Sequence, residues 1–80
     1  MFIVTQDKEL INSEHVVKFR VVKGFSNRPS YLQAIMEKDN PNVDVYVGSQ
    51  ENVNTAMDNL IEALMSKATV IDYSNNEEVS

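Results

Sequence analysis

Between Ser49 and Lys67 the apolar residues Val53, Ala56, Met57, Leu60, Ile61, Leu64 and Met65 recur every three or four positions, the repeat of one face of an α-helix. Asn52, Thr55, Asp58, Asn59, Glu62 and Ser66 take the other side. Ser49 is placed to accept a hydrogen bond from a first-turn amide that has no helical partner, Glu51 complements the positive helix end, and Lys67 complements the negative one. A helix with this stripe must cover an apolar surface. The β-rich residues before it are the surface the chain offers.

Those residues read as a succession of strands. Phe2 to Gln6 is β-branched and aromatic, and Asp7-Lys8 turns the chain into Glu9, Leu10 and Ile11, which predicts a hairpin. After the polar Asn12-Ser13-Glu14, the segment His15 to Lys23 alternates, with Val17, Phe19 and Val21 on one side and Lys18 and Arg20 on the other. The first set should lie under the helix. Gly24 to Ser30 is a loop, where Gly24 permits positive φ and Pro29 keeps Arg28 out of helical geometry. Tyr31 to Glu37 contains helix formers but is too short for an independent helix, and a strand is expected. Asp39-Asn40-Pro41-Asn42 marks a turn, after which Val43, Val45 and Val47 alternate with Asp44, Tyr46 and Gly48. Beyond the helix, Thr69 to Tyr73 has the composition of a short edge strand, and Ser74 to Ser80 reads as a frayed acidic tail.

This order predicts one α+β domain over residues 1–73: an antiparallel sheet of four or five strands, with the amphipathic C-terminal helix packed on one face. Lys18, Arg20, Asp44 and Tyr46 are expected on the uncovered face. Eighty residues bury a single layer of side chains, and such cores leave roughly 3 to 5 kcal/mol of net stability. With no cysteine to add a disulfide or a thiolate metal site, oligomerisation is the expected supplement.

Location and charge narrow the partners. Asp7, Lys8 and Glu9 interrupt the N-terminal segment where a signal peptide needs an apolar run, and no stretch approaches the ~20 apolar residues of a membrane span. A cytoplasmic chain without membrane attachment is expected. The formal net charge of −5 and pI near 4.6 oppose non-specific attraction to phosphate backbones. The charge is segregated, however: Lys18, Arg20, Lys23 and Arg28 cluster early, while Glu51, Asp58, Glu62, Asp72, Glu77 and Glu78 fall in the last third.

The inventory for catalysis is thin. His15 is the only imidazole, without a second histidine or a cysteine to complete a zinc set, and an exposed strand-end histidine accounts for it. An enzyme built on His15 would need a neighbouring carboxylate and a pocket. Asp39, Asn42 and Asp44 bring oxygen side chains together, but Pro41, Val43 and Gln50 stand where a calcium loop needs ligands. Ser13, Ser30 and Ser49 lie in no nucleophile motif, and Gly24 and Gly48 are too few for a phosphate loop. No catalytic residue, metal or cofactor is therefore assigned.

Lys18, Arg20, Lys23 and Arg28, with Phe25 and Tyr31 nearby, form the one stretch with a functional reading. Single-stranded nucleic acid could use such cations for its phosphates and such aromatics for its bases. Lysines and arginines also guard exposed strands against edge pairing. The same surface suits the acidic part of a second copy. A non-enzymatic, self-associating interaction module, a homodimer in its simplest form, is the leading expectation. A weak single-stranded nucleic-acid binder is the alternative.

The opening Met1-Phe2-Ile3-Val4-Thr5-Gln6-Asp7-Lys8, then Leu10-Ile11-Asn12, resembles the start of a group of small proteins of Gram-positive bacteria and their phages. Members open with an aromatic-Ile, a Ser/Thr-Gln-Asp-Lys turn and a short strand. They end with a strand, Gly, a small polar residue, acidic residues and an amphipathic helix, matched loosely here by Tyr46-Val47-Gly48-Ser49-Gln50-Glu51 and the residues beyond. The resemblance does not extend over Gly24 to Asn42, and the tail from Ala68 departs from it. It implies a small cytoplasmic sheet-plus-helix domain and carries over no catalytic or binding residue.

Overall fold

The computed structural model describes residues 1–74. Its elements in chain order are β1 (Phe2–Val4), β2 (Leu10–Asn12), β3 (Val16–Val22), β4 (Ser30–Met36), β5 (Val43–Gly48), α1 (Gln50–Met65) and β6 (Val70–Asp72). The fold is α+β with one C-terminal helix, but a single sheet of four or five strands is not what forms. Six strands divide into two sheets of three, ordered β2-β1-β6 and β3-β4-β5.

The division has a local cause. Asn12 ends β2 and its side chain accepts from the Glu14 amide at 3.0 Å, which caps a 3-10 turn over Ser13–His15 and swings the chain out of the first sheet before β3 begins. The first sheet then takes its third strand from the far end of the chain. β6 pairs with β1 in parallel, Ile71 beside Ile3, whereas every other pairing is antiparallel. Thr69 to Tyr73 thus joins the sheet, and Tyr31 to Glu37 is a strand, beginning one residue earlier at Ser30 and ending at Met36.

The helix starts where the sequence places it. Ser49 accepts from the Asn52 amide at 3.1 Å. At the other end Lys67 lies past the last turn with φ of 61°, and the amides of Lys67 and Ala68 return to the carbonyls of Leu64 and Ala63. These bonds close the helix in the manner normally given to glycine, so Lys67 acts there by its backbone conformation.

Val53, Ala56 and Leu60 enter a core shared with Ile3, Ile11, Leu32, Ala34, Val45, Tyr46 and Tyr73. Both sheets and the helix therefore close over one apolar centre. Tyr73 fastens all three layers: it follows β6, meets Tyr46 of β5 edge to face at 5.9 Å, and donates from its hydroxyl to the Ala56 carbonyl of α1 at 2.7 Å. Burial pushes its phenol well above the ordinary tyrosine range. Of the tail expected over 74–80, residues 75–80 lie outside the described residues, while Ser74 is buried and hydrogen-bonded to Asp72.

Two bulges correct the expected alternation. Between Val16 and Lys18 the register advances two residues against one on β4, so Val17 is the extra residue and lies 66% exposed instead of beneath the helix. On β5, Tyr46 pairs with Leu32 and Asp44 with Gln33, which makes Val45 the extra residue. Val45 and Tyr46 are both buried as a result, and Tyr46 belongs to the core, not to the open face. The helix stripe is also wider than what it covers: Ile61, Leu64 and Met65 are exposed.

Candidate functional site

The face of β3-β4-β5 turned away from the helix carries three cross-strand rows, read directly from the register. Val22, Tyr31 and Val47 form the first, Arg20, Gln33 and Asp44 the second, and Lys18 with Ile35 the third. Paired residues share a side of the sheet, and Phe19, Ala34 and Leu32 occupy the opposite side facing the core. All eight residues of the open face retain solvent exposure.

The middle row is a hydrogen-bonded relay. Arg20 donates from Nε and Nη2 to Gln33 Oε1 at 3.2 and 3.0 Å, and Gln33 donates from Nε2 to Asp44 Oδ1 at 3.3 Å. The guanidinium and the carboxylate are held apart by the amide, one toward each edge of the sheet. Among the described residues the only ion pair is His15 with Glu37, so Arg20 and Asp44 both reach the surface without a charged partner.

Of the six residues singled out in the sequence, the structure brings Lys18, Arg20 and Tyr31 onto this face. Lys23, Phe25 and Arg28 stand in the β3–β4 connection, all exposed, Phe25 at 74%. That connection is drawn tight at Gly24, whose amide donates to Ser30 Oγ at 3.0 Å. A Cβ there would collide with the Arg28 carbonyl oxygen. Close backbone approach, not positive φ, is what requires glycine at this position. Ser30 then donates to Gln50 Oε1 at 2.8 Å and ties the loop to the start of the helix.

The two edges of this sheet differ. Gln6, in the β1–β2 turn, donates its backbone amide to the Val45 carbonyl at 2.9 Å, while its side chain accepts from the Val47 amide at 3.0 Å and donates to the Val47 carbonyl at 3.3 Å. This single residue closes the β5 edge as a strand would. The β3 edge has Lys18 and Arg20 along it instead.

His15 does have a carboxylate beside it, Glu37 at 2.8 Å, but the imidazole is 59% exposed and the pair stands at the open end of β3 and β4. Among the described residues no group of three or more His, Asp or Glu is placed to hold a metal ion. No helix of the described residues is long and apolar enough to cross a membrane.

A second surface escaped sequence reading. On the outer side of β2-β1-β6, Phe2 stands beside Val70 and Val4 beside Leu10, and Phe2, Leu10 and Val70 are exposed. The alternation of Phe2 and Val4 around the buried Ile3 was the available signal; the missing information was which strand would lie beside them. Comparison with known proteins adds no further assignment: no family model, curated protein or solved structure matches this chain.

Proposed function

We propose that this protein is a non-enzymatic interaction module of the cytoplasm that associates with copies of itself. The observation that carries the reading is the open face of β3-β4-β5, where an apolar row lies beside a row ending in a cation and an anion that have no charged partner among the described residues. Sheets of this kind ordinarily carry polar residues on the solvent side, yet Val22, Tyr31, Ile35 and Val47 supply half of this one. Association would supplement a core that holds ten buried apolar residues among the described residues. The resemblance of both chain ends to small sheet-plus-helix proteins of Gram-positive bacteria and their phages fits such a module. Size-exclusion chromatography with light scattering over a dilution series tests it. Mass should rise with concentration, and a monomer at every concentration counts against it.

A second reading rests on Lys18, Arg20 and Tyr31 sharing this face, with Lys23, Phe25 and Arg28 in the adjoining connection. Such a surface suits a short single-stranded nucleic acid, cations to phosphates and tyrosine to a base. Fluorescence anisotropy with a labelled oligonucleotide separates the two readings. Binding that fades steeply with salt supports this one, and no binding at low salt removes it.

A further inference from the structure

We infer that the partner of the open face is the same face of a second copy, related by a half-turn about an axis running along β4. The inference rests on the self-association reading above and specifies its geometry. A half-turn about that axis, lying in the plane between the copies, exchanges the two edges of the sheet and leaves the height of each row unchanged. β3 then crosses over the partner's β5. Arg20 meets the partner's Asp44 and Val22 meets the partner's Val47, each contact made twice, and Tyr31 meets its own counterpart on the axis.

Charge selects this arrangement over the other symmetric ones. A half-turn about an axis crossing the strands at the Arg20–Gln33–Asp44 row would stack Arg20 on Arg20 and Asp44 on Asp44. Edge-to-edge pairing of β3 with a second β3 would crowd Lys18 and Arg20 against their equivalents, and the β5 edge is already occupied by Gln6. Only the axis along β4 gives Arg20 and Asp44 the counter-charge that each lacks among the described residues.

The size of the face sets the affinity. Three strands ~4.8 Å apart and three rows ~6.8 Å apart give a footprint of roughly 300 Å² per copy, well under the ~800 Å² per partner of stable complexes. The dimer is therefore a weak one, with a dissociation constant in the range of roughly micromolar to millimolar.

Sedimentation measurements up to millimolar protein test the geometry with charge reversals. Arg20→Asp alone and Asp44→Arg alone should each weaken association by ~10-fold or more, since each creates two like-charge contacts. An equimolar mixture of the two variants should associate as the parent does, because each then supplies what the other lacks. The double variant should also recover self-association. If a reversal unfolds the chain by circular dichroism, Arg20→Gln and Asp44→Asn replace it, and each should weaken association alone. A parent chain that associates while the single variants match it, or while the mixture stays monomeric, overturns the geometry and leaves self-association standing. Loss of association on Leu10→Glu but not on Arg20→Asp would move the contact to the β2-β1-β6 face. A parent monomeric throughout overturns both.

Discussion

Tyr73 is the residue on which the three layers converge, and truncating it should undo the fold. Replacing Tyr73 with Ala removes a fully enclosed ring, its edge-to-face contact with Tyr46 and its hydrogen bond to Ala56. Large-to-small changes of this kind cost about 3–5 kcal/mol, against a total stability of roughly 3 to 5 kcal/mol for a core of this size. The Ala variant should therefore be largely unfolded without denaturant. Tyr73→Phe keeps the ring and its edge-to-face contact with Tyr46 and loses one neutral hydrogen bond, about 0.5–1.5 kcal/mol. Far-ultraviolet circular dichroism during urea titration reads both variants on one scale. The sign of the pH effect follows from the raised phenol: its contribution is complete below the unfolded tyrosine value of ~10 and is lost as pH climbs from there toward the folded value. Alkaline unfolding should accordingly begin at lower pH in the parent than in Tyr73→Phe once their neutral-pH difference is subtracted. A Tyr73→Ala chain that resists urea as well as the Phe variant would refute the claim that this side chain joins the layers.

Gln6→Ala should cost about 1–2 kcal/mol in urea unfolding, since it removes the two side-chain bonds to Val47 at a solvent-exposed edge while the backbone bond to Val45 persists. Lys67→Gly should raise the thermal midpoint by about 2–6 °C, because glycine adopts the left-handed conformation at the helix end without the penalty lysine bears; a lowered midpoint would contradict that account. Hydrogen bonds from the Ser74 hydroxyl and amide, aided by Lys8, hold the Asp72 carboxyl below its ordinary range. This contribution is present above the unfolded value and is lost as pH falls through the folded one, so Ser74→Ala should raise the Asp72 midpoint in a carbon-detected NMR titration. An unchanged midpoint would remove Ser74 as its cause.

Much of the architecture was legible in local pattern. The Ser49 cap, the helical stripe, the β1–β2 hairpin and the strands β3 and β5 follow from periodicity and turn chemistry, and β4 from being too short for an independent helix. What misled was the assumption that alternation continues through a strand. One extra residue at Val17 and another at Val45 shift the faces, so Val17 comes out and Tyr46 goes in. Neither bulge has a glycine or proline to announce it. The split into two sheets and the parallel pairing of β6 with β1 depend on contacts across nearly the whole chain, and strands of three residues carry too little pattern to reveal their neighbours. For the open face, the strand placement of Lys18, Arg20 and Asp44 was readable from alternation. The rows they form with Tyr31, Gln33 and Val47 needed the register.

The most direct test of the account is a dilution series followed by amide and methyl NMR of the full chain. Resonances of Val22, Tyr31, Gln33 and Val47 should shift with concentration while those of Phe2, Leu10 and Val70 hold still. Concentration-independent spectra, or shifts confined to Phe2, Leu10 and Val70, would contradict the assignment of β3-β4-β5 as the surface where copies meet.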